Sequence, residues 1–282
     1  MNKILVTGAT GFIGRYVVEQ LLARGCRVTA TSSREDKARQ FSWFDQVSYV
    51  PFDLADLDPE KDYFRVFGEP DVMIHLAWEG LPHYRSGFHL EINFPRHAAF
   101  LGNLVRHGLG DLTVAGTCLE YGMQEGCLRE DMPSFPGNPY AKAKDDLRKF
   151  LLELQLEHSF TLKWVRLFYL YGKGQNPGSL VPQLERALQN GDKVFNMSGG
   201  EQVRDFLPVE EVADYLIKVA LQPEITGIIN VCSGKPVSIK QFIENYLSSV
   251  QGDIALNLGY YPYPDYEPMR FWGDARKLNL II

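Results

Sequence analysis

The sequence predicts an α/β fold: a doubly wound parallel sheet with a smaller C-terminal domain. Three observations predict it. An apolar run, Ile4, Leu5 and Val6, of the kind a strand buried on both faces requires, opens the chain. Gly8, Gly11 and Gly14 follow at a spacing of three, and from Phe12 the apolar period turns helical through Tyr16, Val17, Val18, Leu21 and Leu22. Beyond them, β-rich runs alternate with helical stretches as far as Leu167.

A strand, a tight turn and a helix start at this spacing form a dinucleotide-binding turn of the Rossmann type. Gly8 lets the chain turn, Gly11 lets the backbone approach a pyrophosphate, and Gly14 lets helix and strand pack closely. Thr10, Phe12 and Ile13 complete the loop. The helix start adds unpaired N–H groups and a positive dipole end.

The second strand is expected at Arg27–Thr31, and its end bears on cofactor choice. An acid about 20 residues past the glycines grips the ribose diol of NAD. Here Ser32, Ser33 and Arg34 follow instead, suited to a 2′-phosphate, so NADP (NADPH) is expected, with NAD possible through Glu35. Ser33 also suits a helix N-cap, and Arg34 a solvated surface charge.

Strands are then expected at 47–52, ending at Asp53 and Leu54, and at 72–77, ending in His75, Leu76 and Ala77. His75 reads as a hydrogen-bonded core histidine. A helix is expected over 88–106 with Pro95 in its first turns, and a fifth strand over 112–116. Thr117 follows, and Pro139 opens a helix expected to run to about His158. Tyr140 and Lys144, four apart, share one face of it, and a nearby ammonium favours the phenolate. Leu162–Leu167 is the sixth strand, Leu180–Gln189 and Val209–Leu221 are helices, and Ile225–Val231 is the last strand. The tail carries Tyr260, Tyr261, Tyr263 and Tyr266 near Arg270.

Composition narrows the class. A net charge of −6 opposes a nucleic-acid partner, and no apolar run is long enough to span a membrane. Cys26, Cys118, Cys127 and Cys232 have no metal or disulfide spacing. With a strand starting at Lys3 there is no room for a signal peptide. A cytoplasmic protein without a metal is expected.

With the glycine loop, Thr117, Tyr140, Lys144 and Arg204-Asp205-Phe206 in hand, the chain resembles the extended short-chain dehydrogenase/reductase family, the NAD-dependent nucleotide-sugar epimerases, dehydratases and reductases. The resemblance runs to about Ser238 and includes Asn230-Val231-Cys232-Ser233-Gly234. It implies that Gly8, Gly11 and Gly14 hold cofactor phosphates, that Asp53 and Leu54 contact adenine, and that Ala77 lies near the nicotinamide ribose. It implies Thr117, Tyr140 and Lys144 as the catalytic triad, Asn93 near the active site, Arg204 on the substrate diphosphate and Arg270 as a second nucleotide contact. It also implies a homodimer, built by the Tyr140 helix and the helix before it. Phe150, Leu151, Leu154 and an additional Leu152 fit that pairing, or else Leu152 and Leu156 cover the second domain.

The departures are informative. Dehydratases of the family carry Asp-Glu after the catalytic Thr, where this chain has Cys118 and Leu119. The cysteine of the fucose-forming epimerase-reductases is matched by Leu119, and the usual Asn after the sixth strand by Tyr169. The expected activity is NADPH-dependent reduction of a nucleotide-linked 4-keto-6-deoxyhexose. The alternatives are a 4-epimerase with tightly bound NAD and a catalytically inactive NADP-binding sensor. Residues 1–167 and 205–231 are expected to form the dinucleotide domain, and 168–204 and 232–282 the substrate domain.

Overall fold

The computed structural model describes residues 2–263, 265 and 267–282. Its centre is a seven-stranded sheet. The strands are β1 (Lys3–Thr7), β2 (Arg27–Ser32), β3 (Ser48–Pro51), β4 (Val72–His75), β5 (Asp111–Thr117), β6 (Thr161–Leu167) and β7 (Gly227–Val231). They lie in the order β7-β6-β5-β4-β1-β2-β3, every neighbouring pair parallel. The order reverses at β1, so a crevice opens at the carboxyl ends of β1 and β4.

Alternation along the strands divides the core between two faces. Ile4 and Val6 join Val17, Val18 and Leu21 of α1 (Gly14–Ala23) on one face. Leu5 faces Phe100, Leu101 and Leu104 of α2 (Phe94–Arg106) and Leu147, Leu151 and Leu154 of α3 (Pro139–Leu154) on the other. A separate apolar cluster joins Val181 and Leu184 of α4 (Leu180–Asn190) to Phe195, Met197 and Phe242. Helix α5 (Val209–Leu221) returns to the α1 face through Val212, Leu216 and Ile217. Helix α6 (Ile239–Val250), which supplies Phe242 to the separate cluster, has no counterpart in the sequence reading.

Strand β7 lies at the sheet edge, where unpaired backbone groups invite another strand. Lys277 Nζ donates to the carbonyls of Thr226 and Ile228 at 2.9 and 2.6 Å, and Glu130 accepts the Asn230 N–H at 3.0 Å. The edge is thereby covered.

Several element boundaries differ from expectation, the last strand beginning at Gly227 rather than Ile225 among them. Strand β4 stops at His75 because the next two N–H groups, of Leu76 and Ala77, turn to the Thr7 hydroxyl at 3.2 and 3.3 Å. The helix over 88–106 begins as a π-turn, His89–Asn93, before α2. Helix α3 ends at Leu154, four residues before His158. The turn after β2 is capped by Arg34 without a side-chain bond, so Ser33 is not the cap.

The glycine turn is set by backbone contact. Gly8 has φ +65°, and a Cβ there would lie 2.8 Å from the Ala77 nitrogen. A Cβ on Gly14 would lie 2.1 Å from the Gly8 carbonyl oxygen, a rigid backbone atom. Gly14→Ala is therefore expected to lower unfolding free energy by about 1 to 3 kcal/mol, the usual range for overpacking. Urea unfolding checks this, and an unchanged midpoint contradicts it.

Candidate active site

At the carboxyl ends of the strands lies a cleft lined by Gly8, Thr10 and Gly11 of the turn, and by Ser32 and Ser33 after β2. Asp53 and Leu54 after β3, and Ala77, Trp78 and Glu79 after β4, also line it. The bare Cα atoms of Gly8 and Gly11 and the start of α1 fit the phosphates of a dinucleotide. Phe12, Ile13, Gly14 and Arg34 are not part of this lining. Ser32 Oγ shares a hydrogen bond with the Tyr49 hydroxyl at 2.8 Å. The exposed Arg34 guanidinium pairs with Asp36 at 2.6 Å, and Glu35 pairs with Arg39. Asp53 caps the next turn by accepting the Ala55 N–H at 2.8 Å.

The structure brings Thr117, Tyr140 and Lys144 together. Thr117 ends β5. Asn138 caps α3 by accepting the Ala141 N–H at 2.9 Å, and Pro139 opens the helix, which places Tyr140 in its first turn and Lys144 one turn on. The three are only 7%, 8% and 3% exposed. Lys144 Nζ donates to the Ala115 carbonyl at 2.8 Å and sits 3.8 Å from the centre of the Trp78 ring. Burial lowers its pKa to about 7, with the Glu120 carboxylate pulling the other way.

Tyr140 corrects the sequence expectation. Burial pushes its pKa up, Tyr84 and Glu120 add to the rise, and a hydrogen bond with Thr117 offsets only part of it. The ammonium that was to lower it is engaged by Ala115 and the indole. The phenol therefore holds its proton.

Thr117 is fixed by a reciprocal cap. Its hydroxyl accepts the Leu119 N–H at 3.3 Å, and Glu120 accepts the Thr117 N–H at 2.8 Å. The fully buried Glu120 carboxylate is neutralised by Arg166 Nε at 2.8 Å and bonded by Trp164 Nε1 at 3.0 Å. Cys118 is buried with its thiol pKa raised, chiefly by burial, so neither it nor Leu119 offers an acid or base.

Around Tyr140 stands an aromatic wall that sequence reasoning missed. Trp78, Tyr84 and His89 have ring centres 6.0, 5.4 and 5.4 Å from that of Tyr140. Asn93 donates to the Glu79 carbonyl at 2.9 Å and meets His89 Nδ1 at 3.3 Å, so the π-turn places it in this wall. His75, as expected, is a hydrogen-bonded core histidine, 2.8 Å from Thr7 Oγ1. The signal that marked Trp78 was its place directly after Ala77, at the carboxyl edge of the sheet.

Arg204, which the resemblance assigns to the substrate diphosphate, is buried and paired within the chain. It is 1% exposed, pairs with Glu267 at 3.0 Å, donates to the Val203 and Met269 carbonyls, and lies 4.4 Å from the Phe271 ring centre. A carboxylate of the chain already neutralises it. Arg270 is exposed, with its backbone bridged to Val203. Tyr260 and Tyr261 are exposed, Tyr263 bonds Glu201, and Tyr266 lies outside the described residues. Among the described residues, no three His, Cys, Asp or Glu side chains converge as metal ligands. No described helix is long and apolar enough to cross a membrane.

Comparison with known proteins matches residues 4–232 to the NAD dependent epimerase/dehydratase family. A dTDP-6-deoxy-L-talose 4-dehydrogenase (NAD(+)) from Aggregatibacter actinomycetemcomitans is 30% identical, the match covering 96% of this chain and 99% of that protein. UDP-arabinose 4-epimerase 1 from Arabidopsis thaliana is 28% identical over 99% of this chain and 74% of its own length. In fold, the chain is similar to a UDP-glucose-4-epimerase from Stenotrophomonas maltophila with bound NAD and formylated UDP-arabinopyranose. That likeness has a TM-score of 0.86 at 18% identity, covering 100% of this chain and 92% of the other.

The depressed Lys144 pKa predicts a pH dependence of stability. Between about pH 7 and the ordinary lysine pKa of about 10.4, the unfolded chain holds this proton and the folded one does not. Stability through this residue therefore rises with pH across that window, and Lys144→Met is expected to flatten the rise. Urea unfolding of both proteins at pH 7 and pH 9 measures it, and identical pH slopes contradict it.

Proposed function

Because this chain belongs to the NAD dependent epimerase/dehydratase family, we propose that it reduces a nucleotide-linked 4-keto-6-deoxyhexose to the 6-deoxyhexose. The observation that carries this reading is Thr117, Tyr140 and Lys144 assembled beside the glycine cleft, with no acid or base at Cys118 and Leu119. A relative spanning nearly the whole chain is named as a 4-dehydrogenase of a dTDP-linked 6-deoxysugar, and reduction at C4 is the reverse of that reaction.

When bound, the dinucleotide supplies the hydride that becomes the new C–H bond at the sugar carbonyl carbon. Tyr140 gives its proton to the carbonyl oxygen, so C=O and H⁻ and H⁺ become CH–OH. The phenolate left behind is reprotonated from solvent. The raised pKa suits this direction, because the phenol keeps its proton until a strongly basic alkoxide develops. Thr117 hydrogen-bonds the same oxygen, and Lys144 offers its donors to the cofactor ribose.

NADPH is the assigned reductant. Serines rather than a carboxylate line the cleft after β2, and a 2′-phosphate would draw Arg34 away from Asp36. Against it stands the NAD(+) in the relative's name. A substrate diphosphate reaches Arg204 by replacing Glu267, and Arg270 is assigned the second nucleotide contact. The protein works as a homodimer through α2 and α3, a reading supported by Leu152 of α3 and Leu156 just past its end, which are 42% and 87% exposed. Its four free cysteines suit the reducing cytoplasm.

The second reading, a 4-epimerase retaining NAD, is favoured by the arabinose epimerases among the relatives. It needs Tyr140 to begin as a base, which the raised pKa opposes. The third, an inactive sensor, requires a triad that does no chemistry.

One purified preparation separates the three. The reductase emerges without stoichiometric NAD on denaturation and oxidises NADPH faster than NADH when given a 4-keto-6-deoxy sugar nucleotide. Tyr140→Phe then lowers kcat by about a hundredfold to ten-thousandfold, the contribution of a positioned proton donor. Stoichiometric released NAD, or no cofactor oxidation with any base or sugar, overturns the reading.

A further inference from the structure

We propose that Trp78 is a positioning residue of the active site: its indole face holds the Lys144 ammonium between the cofactor cleft and Tyr140. The inference rests on the reading that Lys144 serves the nicotinamide side of the site, and not on the identity of the sugar. Trp78 lines the cofactor cleft, lies 3.8 Å from Lys144 Nζ at its ring centre, and meets the Tyr140 ring edge-on at 6.0 Å. An ammonium over an indole face is attracted by the ring quadrupole, and more so where both are removed from water.

The indole is held in place by a chain of neutral imidazoles. Thr7 Oγ1 accepts the N–H groups of Leu76 and Ala77, so its own hydrogen points to His75 Nδ1 at 2.8 Å. His75 then donates from Nε2 to His97 Nδ1 at 2.8 Å, and His97 stacks on Trp78 with ring centres 4.5 Å apart and planes at 20°. At the indole edge, Trp78 Nε1–H donates to His89 Nδ1 at 3.2 Å, while His89 Nε2–H donates to the His83 carbonyl at 3.1 Å. Stacking and a directed hydrogen bond fix two directions of the same ring. Packing alone would require only the first.

The titratable groups around Lys144 are Glu120 from the turn after β5, His75 of β4, His97 of α2, His89 of the π-turn and Tyr140 of α3 itself. Burial holds all three histidines below the ordinary range, His75 at about 3, which favours their neutral forms at neutral pH. Glu120 is the one carboxylate among these groups, and Arg166 neutralises it. Lys144 is then the group of this cluster that changes charge near neutrality.

The test uses the whole protein labelled with 5-fluorotryptophan and read by ¹⁹F NMR. There are four tryptophans, Trp43, Trp78, Trp164 and Trp272, and the resonance lost in Trp78→Phe identifies Trp78. Its shift is expected to titrate with a midpoint near pH 7, and both Lys144→Met and Lys144→Arg are expected to abolish that transition. With NAD or NADP alone as probe, affinity falls at high pH as Lys144 loses its proton. Trp78→Leu moves that fall to lower pH by roughly half a unit to one and a half units, since the indole favours the charged amine. Trp78→Phe, which keeps a ring face, restores most of it. A Trp78 transition that persists in both Lys144 variants overturns the proposal, as does an equal, pH-independent loss of affinity in Trp78→Leu and Trp78→Phe. No sugar is used, so failure of the reductase reading leaves this result standing.

Discussion

The meeting of two strand ends is the constraint on which the site depends. Gly8 has no side chain, so the backbone after β1 lies against Ala77 at a distance no Cβ tolerates. The Thr7 hydroxyl then takes the N–H groups that β4 would otherwise offer to its ladder. These contacts turn the chain after His75 out of the sheet and into the crevice where the strand order reverses. Trp78 follows three residues later, against Lys144 of α3. The cleft at the glycine turn and an aromatic wall thus share one backbone turn.

The chemistry is set on a second, buried support. Glu120 reaches back to cap Thr117 and in doing so carries a carboxylate into the core, a position that is costly unless paired and hydrogen-bonded. Arg166 and Trp164 from β6 meet it there, and Arg166 also donates to Ser134 at 2.6 Å. The pair explains how Thr117, Tyr140 and Lys144 are nearly removed from water yet do not face an unbalanced charge. Their burial in turn decides the protonation states: a phenol that keeps its proton and an amine poised near neutrality.

Much of this was legible in the sequence because it is local. The glycine spacing, the alternation of strands with helices, and the four-residue step from Tyr140 to Lys144 are short-range patterns that neighbouring residues fix. What was not legible depends on distant partners. The direction of the Tyr140 pKa follows from burial under Tyr84 and from Lys144 turning to Ala115, neither of which spacing reveals. The resemblance gives Arg204 a diphosphate to bind, and nothing local shows that Glu267, far along the chain, pairs with it. The histidines beside Trp78 come from β4, the π-turn and α2, and only the fold assembles them. Ser33 looked like a cap by residue type, but the turn begins one residue later.

The most direct measurement of the central claim follows the hydride. NADPH carrying deuterium in the transferred position at C4 is supplied with a dTDP-4-keto-6-deoxyhexose, and the product is read by proton NMR and mass spectrometry. The account predicts one deuterium at C4 of the sugar for each cofactor oxidised. An inverted sugar without deuterium, with the label still on the dinucleotide, would contradict it.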